Sequence, residues 1–236
     1  MKQVDFFDLG TMSFAECWQL QEKYFTELSD NKIARRNGQL HSGEMPKGKL
    51  LFVEHPHVFT LGKSGDVRNL LLNNASLEAV KAEFFPINRG GDITYHGPGQ
   101  LVGYPIIDLE NYFTDIHKYL RLLEEAIILM LQSFGIEGGR INGLTGVWID
   151  AENPSKARKI AAMGVKCSRW ITMHGFALNV NPDLGYFQHI VPCGITDKAV
   201  TSMEAELGKK VVFDEVKNLL KQRLADTFGF EWTSNP

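Results

Sequence analysis

The segment 89–104, RGGDITYHGPGQLVGY, places the tightest limit on how this chain can fold. It holds five glycines, and because each glycine costs about 1 kcal/mol relative to alanine inside a helix, the segment cannot be helical. Glycine at this density indicates backbone with φ above zero or backbone that approaches a ligand closely. The polar residues among the glycines are Arg89, Thr94, Tyr95, His96 and Gln100. The segment is therefore either a loop that presents polar groups to a ligand or a tight hairpin with solvated side chains.

The remaining segments mix helix-like and strand-like patterns. A capping box of Ser13 and Glu16 predicts a helix from Ser13. Apolar residues at helical spacing predict a second helix over 115–134 and a third from about Asp214. Strands are predicted at 48–55, 57–62, 101–109, 145–150 and 170–180, and an exposed loop at 30–48.

Strands and helices that do not alternate regularly favour the α+β class over a doubly wound fold. We therefore expect a layered α+β domain. Since the chain of 236 residues shows no repeat or long linker, we expect one catalytic domain over 1–236.

Composition excludes several classes of partner and location. With 25 Lys and Arg against 28 Asp and Glu, the net charge is −3, which does not suit nucleic-acid binding. The longest apolar run, 126–131, is far shorter than the roughly 18 residues of a membrane span. Asp5 and Asp8 disfavour a signal peptide, and three cysteines without close pairs favour a reducing compartment. A cytoplasmic protein that contacts neither membrane nor nucleic acid is predicted.

Two stretches imitate a phosphate-binding loop, and one imitates a metal site. Residues 43–50 end in Leu50 where serine or threonine must hold magnesium, and residues 57–64 begin with His57 where a glycine is needed. His55 and His57 flank a proline, but no cluster with ligand spacing accompanies them. We expect neither a nucleotide cofactor nor a metal ion.

Cys193 is the candidate nucleophile. It follows Pro192 and precedes Gly194, which indicates a turn where a thiol can meet substrate, whereas Cys17 and Cys167 resemble ordinary small buried residues. A free thiol holds only a few per cent thiolate at pH 7, so catalysis needs a nearby cation or base. The available candidates are Lys159, His174 and His96, and the sequence leaves their order open.

Taken together, the segments resemble the lipoyl(octanoyl) transferases, which form part of lipoic acid assembly. The resemblance rests on four blocks in the family's order and spacing: 89–104, KIAAMG at 159–164, HGFALNVN at 174–181 and PCGI at 192–195. HPHVFTLGKSG at 55–65 and TGVWI at 145–149 also look familial. The similarity covers roughly residues 50 to 200. It implies a fold shared with biotin protein ligases and lipoate ligases, a mixed β-sheet with helices packed on it.

The resemblance implies a role for each matching position. Cys193 would accept the acyl chain as a thioester, and Lys159 would lower the thiol's pKa and act as acid and base. Substrate-binding positions would be Arg89, Gly90, Gly91, Asp92, Ile93, Thr94, Tyr95, His96, Ala162, Met163, Gly164, Gly175, Phe176 and Ala177.

The reaction implied is octanoyl transfer from octanoyl-acyl carrier protein to lysine ε-amines, the first step of endogenous protein lipoylation. The acceptors would be lipoyl domains of 2-oxoacid dehydrogenase E2 subunits and the glycine cleavage H protein. Because a thioester is already activated, no cofactor is needed. A basic patch would receive the acidic carrier protein, with Lys156, Arg158, Lys166 and Arg169 as candidates.

Three alternative functions fit parts of the pattern. An ATP-dependent lipoate or biotin ligase would need an adenylate and a phosphate-binding glycine run, but no cysteine at 193. A thiol hydrolase would use Cys193 with His174 or His96, and water as acceptor. An inert module could keep the pocket and bind acyl groups or lipoyl domains without turnover.

Overall fold

The computed structural model describes residues 2–39, 46–191 and 199–233. Its strands are β1 Lys2–Thr11, β2 Gly48–Glu54, β3 Val58–Leu61, β4 Glu83–Pro86, β5 Ile93–His96, β6 Gln100–Ile106, β7 Gly138–Gly139, β8 Val147–Ile149, β9 Arg158–Ser168, β10 Ile171–Asn179, β11 Ala199–Val200 and β12 Phe230–Trp232. Its α-helices are α1 Phe14–Arg36, α2 Asn74–Ala79, α3 Ile116–Ser133, α4 Met203–Leu207 and α5 Phe213–Phe228. Short 3₁₀ helices cover Val67–Asn69, Leu109–Asn111 and Leu184–His189.

The strands form a large mixed sheet and a small one. The large sheet has the order β12-β1-β2-β6-β10-β9-β8-β7, and β11 also pairs with β9. β1 runs parallel to β12 and β2, and β11 runs parallel to β9, whereas β2, β6, β10, β9 and β8 follow one another antiparallel. The small sheet has the order β4-β3-β5. The predicted α+β class, a mixed sheet with packed helices, is confirmed.

Helices bury both faces of the large sheet. Leu50 and Phe52 of β2 face the cluster that contains α3 and α5, whereas Leu51 and Val53 face the cluster that contains α1. This alternation follows from the two-residue period of a strand. Burial on both faces explains why β2 reads as an uninterrupted apolar run in the sequence.

The residues that cap or terminate helices in the sequence predicted the ends of the helices correctly. Ser13 caps α1: its Oγ accepts the Glu16 backbone N–H at 3.3 Å and donates to the Glu16 carboxylate at 2.6 Å. Asp115 caps α3 by accepting the backbone N–H groups of His117 and Lys118, and Gly135 follows the helix with a φ of 76°. Helix α5 ends at Gly229, which has a φ of 67°.

The predicted loop at 30–48 is wrong over its first part, because α1 continues to Arg36. Lys32, only 9% exposed, donates to Asp108 Oδ1 and to the Arg169 carbonyl, each at 2.7 Å. Arg36 pairs with Glu110 at 2.9 Å. These partners lie more than seventy positions away in sequence, so polar composition did not reveal them. Residues 40–45 lie outside the described residues.

The glycine-rich segment 89–104 is not the tight hairpin with solvated side chains that was one of its two predicted forms. It contains strands β5 and β6, which belong to different sheets and are joined by a turn at 97–99. In that turn Gly99 has a φ of 85°, and a Cβ there would lie 2.4 Å from the Asn181 carbonyl oxygen. Four of the segment's polar side chains, Arg89, Tyr95, His96 and Gln100, are buried rather than solvated.

Within residues 2–39, 46–191 and 199–233, no helix is both long enough and apolar enough to span a membrane.

Candidate active site

A cleft of about 750 Å³, counted with the space at its open mouth, lies between the start of α1, the middle of the large sheet and segment 87–96. Apolar side chains and glycines supply much of its surface: Phe14, Ile87, Gly91, Ile93, Ala162, Met163, Gly164, Gly175, Phe176, Ala177, Phe187 and Val200.

The structure brings most of the predicted site residues to this one cleft. Its lining includes Lys159 and all the predicted substrate positions except Gly90 and Tyr95. Gly90 is exposed, and its N–H donates to the Val165 carbonyl at 2.9 Å. Tyr95 is buried on the far side, with its hydroxyl 2.7 Å from His57 Nδ1. The roles of the residues along the cleft stay predictions.

A β-bulge turns Lys159 toward the cleft. Val147 pairs with Ala161 while its neighbour Trp148 pairs with Lys159, so β9 carries one extra residue, Ile160. In a regular strand Lys159 and Ala162, three positions apart, would face opposite sides of the sheet. The bulge puts both on the cleft side. There the Lys159 ammonium lies 4.6 Å from the centroid of the Trp148 ring.

Cys193, the predicted nucleophile, lies outside the described residues. The described segments on both sides of it in sequence belong to the cleft region. Phe187 before it and Val200 after it line the cleft. Val191 donates its N–H to the Asn69 carbonyl at 2.8 Å, and Val200 pairs with Lys159.

The three histidines around the cleft floor are neutral at pH 7. Burial lowers the pKa of His55 to about 4 and that of His96 and His174 to about 3, and the positive charge of Arg89 lowers the last two further. His174 Nε2 lies 2.9 Å from Asn88 Oδ1 and donates to it. His96 and His174 are therefore unable to support a thiolate as cations at pH 7, which leaves Lys159 of the three candidates.

Acidification should destabilise the fold through these histidines. Because their pKa values in the fold lie below the 6.5 of an unperturbed histidine, the unfolded chain binds protons first. The free energy of unfolding should hold above pH 6.5 and fall by about 1.4 kcal/mol per pH unit for each histidine toward pH 4. Urea denaturation at pH 7, 6 and 5 measures this. His117→Gln, at an exposed position, should keep the slope, and equal stability at pH 7 and 5 would contradict the expectation.

The other two cysteines are poorly suited to catalysis. Cys17 is fully buried, and burial raises the pKa of its thiol to about 12. Cys167 is half-buried, and burial raises its thiol pKa as well. In the part of the chain that the structure describes, no group of three or more His, Cys, Asp or Glu side chains could hold a metal ion.

The four residues named as candidates for a basic patch are spread along β9 and its flanks. Arg158 begins β9 and Lys166 lies eight residues further along it, which separates them by about 26 Å at roughly 3.3 Å per residue. Arg158 also forms ion pairs with Asp150 and Glu206. The role of Lys156, Arg158, Lys166 and Arg169 in docking an acidic carrier protein stays a prediction.

Several cleft residues were missed by the sequence reasoning. Phe14, Ile87, Phe187 and Val200 line the cleft from four separate elements or loops. Their only sequence signal is that each lies close to a motif block or to a helix start. Asn179, inside the block at 174–181, was not singled out, although its side chain is buried in a polar network.

Comparisons with known proteins place the chain among lipoylation enzymes. The family model described as the lipoyl protein ligase A/B catalytic domain matches residues 13–225. An octanoyltransferase of Flavobacterium johnsoniae is 59% identical over 232 residues, which is 98% of each chain. Among solved structures, a bipartite lipoate protein ligase from Thermoplasma acidophilum superposes with a TM-score of 0.70 at 19% identity, covering 100% of this chain and 87% of that one. A biotin protein ligase from Aquifex aeolicus, in complex with biotin and ATP, gives 0.51 at 13% identity, covering 97% and 71%. The predicted similarity to the fold of lipoate and biotin ligases is confirmed.

Proposed function

Because the chain belongs to the lipoyl protein ligase A/B catalytic domain family, we propose that it moves an octanoyl group from octanoyl-acyl carrier protein to a lysine of a lipoyl domain. The chain is an acyltransferase of protein lipoylation, as the name and near full-length identity of its relatives indicate. The acceptors we propose are lipoyl domains of 2-oxoacid dehydrogenase E2 subunits and the glycine cleavage H protein. A free cysteine nucleophile suits the reducing cytoplasm, where we place the reaction.

The observation that carries this proposal is Lys159 on the cleft wall. The bulge at Ile160 brings its ammonium to the same side of the sheet as the apolar and glycine residues of the cleft. A cation next to a slot of that kind is what a cysteine needs in order to attack an acyl thioester.

In the first step the Cys193 thiolate attacks the carbonyl of the donor thioester. The new carbon–sulfur bond to Cys193 forms, and the bond to the carrier's sulfur breaks. The carrier leaves as a thiol after taking the proton that Cys193 gave up. Since one thioester replaces another, the exchange costs almost no free energy, and the positive charge of Lys159 stabilises the thiolate.

In the second step the acceptor's ε-amine attacks the acyl-enzyme. A carbon–nitrogen bond forms, the bond to Cys193 breaks, and the proton lost by nitrogen passes through Lys159 to the Cys193 sulfur. Backbone N–H groups near the reacting carbonyl would stabilise the oxyanion. Burial of the octanoyl chain along the cleft contributes about 0.8 kcal/mol per CH₂ to recognition.

Two alternatives fit less well. A thiol hydrolase needs His96 or His174 as a base, but burial lowers the pKa of each to about 3, which makes both weak bases at pH 7. A nucleotide-binding loop at 57–64 would need a helix after it, whereas Val67–Asn69 is a single 3₁₀ turn.

Intact-mass spectrometry tests the proposal. After mixing with octanoyl-acyl carrier protein, one octanoyl group should add to the wild type and then move to an added lipoyl domain. The adduct should be absent in Cys193→Ser and remain in the matched control Cys167→Ser, a half-buried position away from the cleft lining. Octanoyl-AMP formed on adding ATP, free octanoate as the sole product, or no adduct at all would each overturn the proposal.

A further inference from the structure

A chain of buried side-chain hydrogen bonds runs from the cleft wall to β11. His96 Nδ1 lies 3.2 Å from Gln100 Oε1, Gln100 Nε2 donates to Asn179 Oδ1 at 3.0 Å, and Asn179 Nδ2 donates to the Thr201 carbonyl at 2.8 Å. All four residues are at most 7% exposed. His96 lines the cleft, but Gln100, Asn179 and Thr201 do not.

Chemistry sets the direction of every bond in this chain. A carbonyl oxygen only accepts, so the Thr201 oxygen requires the nitrogen of the Asn179 amide, and the Asn179 oxygen then requires the nitrogen of Gln100. The second N–H of Gln100 donates to the Tyr95 carbonyl at 3.2 Å, which requires the same orientation independently. Gln100 therefore turns its oxygen to His96, which must donate through Nδ1. A neutral imidazole protonated at Nδ1 keeps an acceptor lone pair at Nε2.

The hydrogen-bonded residues from His96 to Thr201 also reach the strand that carries Lys159. Gln100 and Asn179 are paired between β6 and β10. Thr201 donates its own N–H to the Lys159 carbonyl at 2.9 Å, directly after the pair of Val200 with Lys159. His96 and Lys159 thus both line the cleft and are connected through the backbone of Thr201, the residue after β11.

Only one of the two proposed substrates can use an acceptor here. The thioester of the donor has a carbonyl oxygen and a sulfur at its reacting end, both without a hydrogen to donate. A primary amine keeps N–H groups when it attacks. An imidazole lone pair can accept a hydrogen bond from such an amine and so orient it, but it forms no hydrogen bond with the thioester.

We propose that His96 Nε2 accepts a hydrogen bond from the attacking lysine amine, and that Gln100 and Asn179 are positioning residues that hold His96 in the required tautomer. This inference rests on the proposed function and deepens it by assigning His96 to the second step. His96 takes no proton; the proton of the amine still passes to Cys193. Burial, together with the charges of His55 and Arg89, lowers the pKa of His96 to about 3, which agrees with a neutral acceptor.

The two half-reactions separate this role from a structural one. In Gln100→Met and in Asn179→Ser, formation of the acyl-enzyme should stay within about twofold of wild type, which also shows a folded site. Transfer from the acyl-enzyme to a lipoyl domain should fall about tenfold, the loss expected for one hydrogen bond. Rapid-quench intact mass measures both rates. The matched control is Asn181→Ala. The Asn181 side-chain amide forms hydrogen bonds with the Val211 backbone and none with His96, Gln100 or Asn179. This variant should leave both rates within about twofold.

Equal losses in both half-reactions, or no selective loss in the second, would overturn the inference while leaving the acyl-enzyme intact. If wild type forms no acyl-enzyme, the proposed function fails instead, so the two failures are distinct. On the wild type itself, ¹⁵N NMR of the His96 ring should show the proton on Nδ1. A proton on Nε2 would refute the tautomer directly.

Discussion

Replacing Lys159 with methionine should slow octanoyl transfer about 10³-fold, the middle of the range for one acid–base group. Methionine keeps the length of the side chain beside Trp148 but removes the charge and the exchangeable proton. Both steps should suffer, because the cation supports the thiolate in the first and relays a proton in the second. Single-turnover kinetics followed by intact mass measures each step. Lys209→Met, at an exposed position outside the cleft lining, should change neither by more than about twofold.

Deleting Ile160 tests the same idea without touching the lysine. Removal of the bulge residue restores the two-residue period of β9, so Lys159 should turn to the face of the sheet that α3 and α5 cover. Octanoyl transfer should fall by about the same 10³. A circular dichroism melt shows whether the variant is folded. A folded deletion variant with wild-type turnover would show that the bulge does not position Lys159.

Replacing Glu124 with alanine should lower the free energy of unfolding by about 1–3 kcal/mol, the cost of leaving a buried N–H without an acceptor. Glu124 is fully buried on α3. Its carboxylate accepts from Arg140 Nε at 3.0 Å and from the buried Gly146 N–H at 2.9 Å, and it forms an ion pair with Arg121 Nη1 at 2.9 Å. Alanine would leave that N–H and two guanidinium groups without this acceptor. Urea denaturation at pH 7 measures the change.

Glu125 provides a matched control for this stability effect. It follows Glu124 on the same helix and pairs with the same Arg140 at 2.6 Å, but it is 40% exposed. Glu125→Ala should therefore cost less than about 1 kcal/mol. Equal losses for the two variants would contradict the importance of burial at Glu124.

The hydrogen bond between Glu124 and Gly146 also helps to hold the part of the sheet next to the bulge that orients Lys159. Gly146 has a φ of 126°, and a Cβ there would lie 2.7 Å from the Ala161 carbonyl oxygen. The bulge that turns Lys159 therefore packs against a glycine that a buried carboxylate holds in place. A residual loss of transfer rate in folded Glu124→Ala would follow from this link.

The fold was predictable where the signal is local. The capping pair of Ser13 and Glu16, the cap at Asp115 and the glycines that end two helices each act within a few residues. Such signals depend only on backbone groups that a neighbouring side chain can satisfy. The apolar strands were recognisable for a similar reason, because burial on both faces requires continuous hydrophobicity.

The parts that were missed depend on contacts distant in sequence. The last turns of α1 exist because Lys32 and Arg36 meet acids from another part of the chain. The bulge at Ile160 is a register shift, which no composition of β9 reveals. The chain from His96 to Thr201 joins β5, β6, β10 and the residue after β11, so each amide alone reads as an ordinary polar residue. The motifs of the glycine-rich segment pointed to residues that line the cleft, but not to the hydrogen-bond partners of its buried polar groups.

The parallel pairing of β1 with β12 has a consequence for how the protein folds. Lys2 pairs with Phe230, a separation of 228 positions. Contacts between such distant residues carry a large loop-closure cost and slow folding. During synthesis β1 can join β2 as soon as residue 54 has left the ribosome, but its outer edge stays unpaired until residues 230–232 emerge. For most of translation that edge can pair with other nascent chains, so the yield of folded protein depends on how quickly β12 arrives.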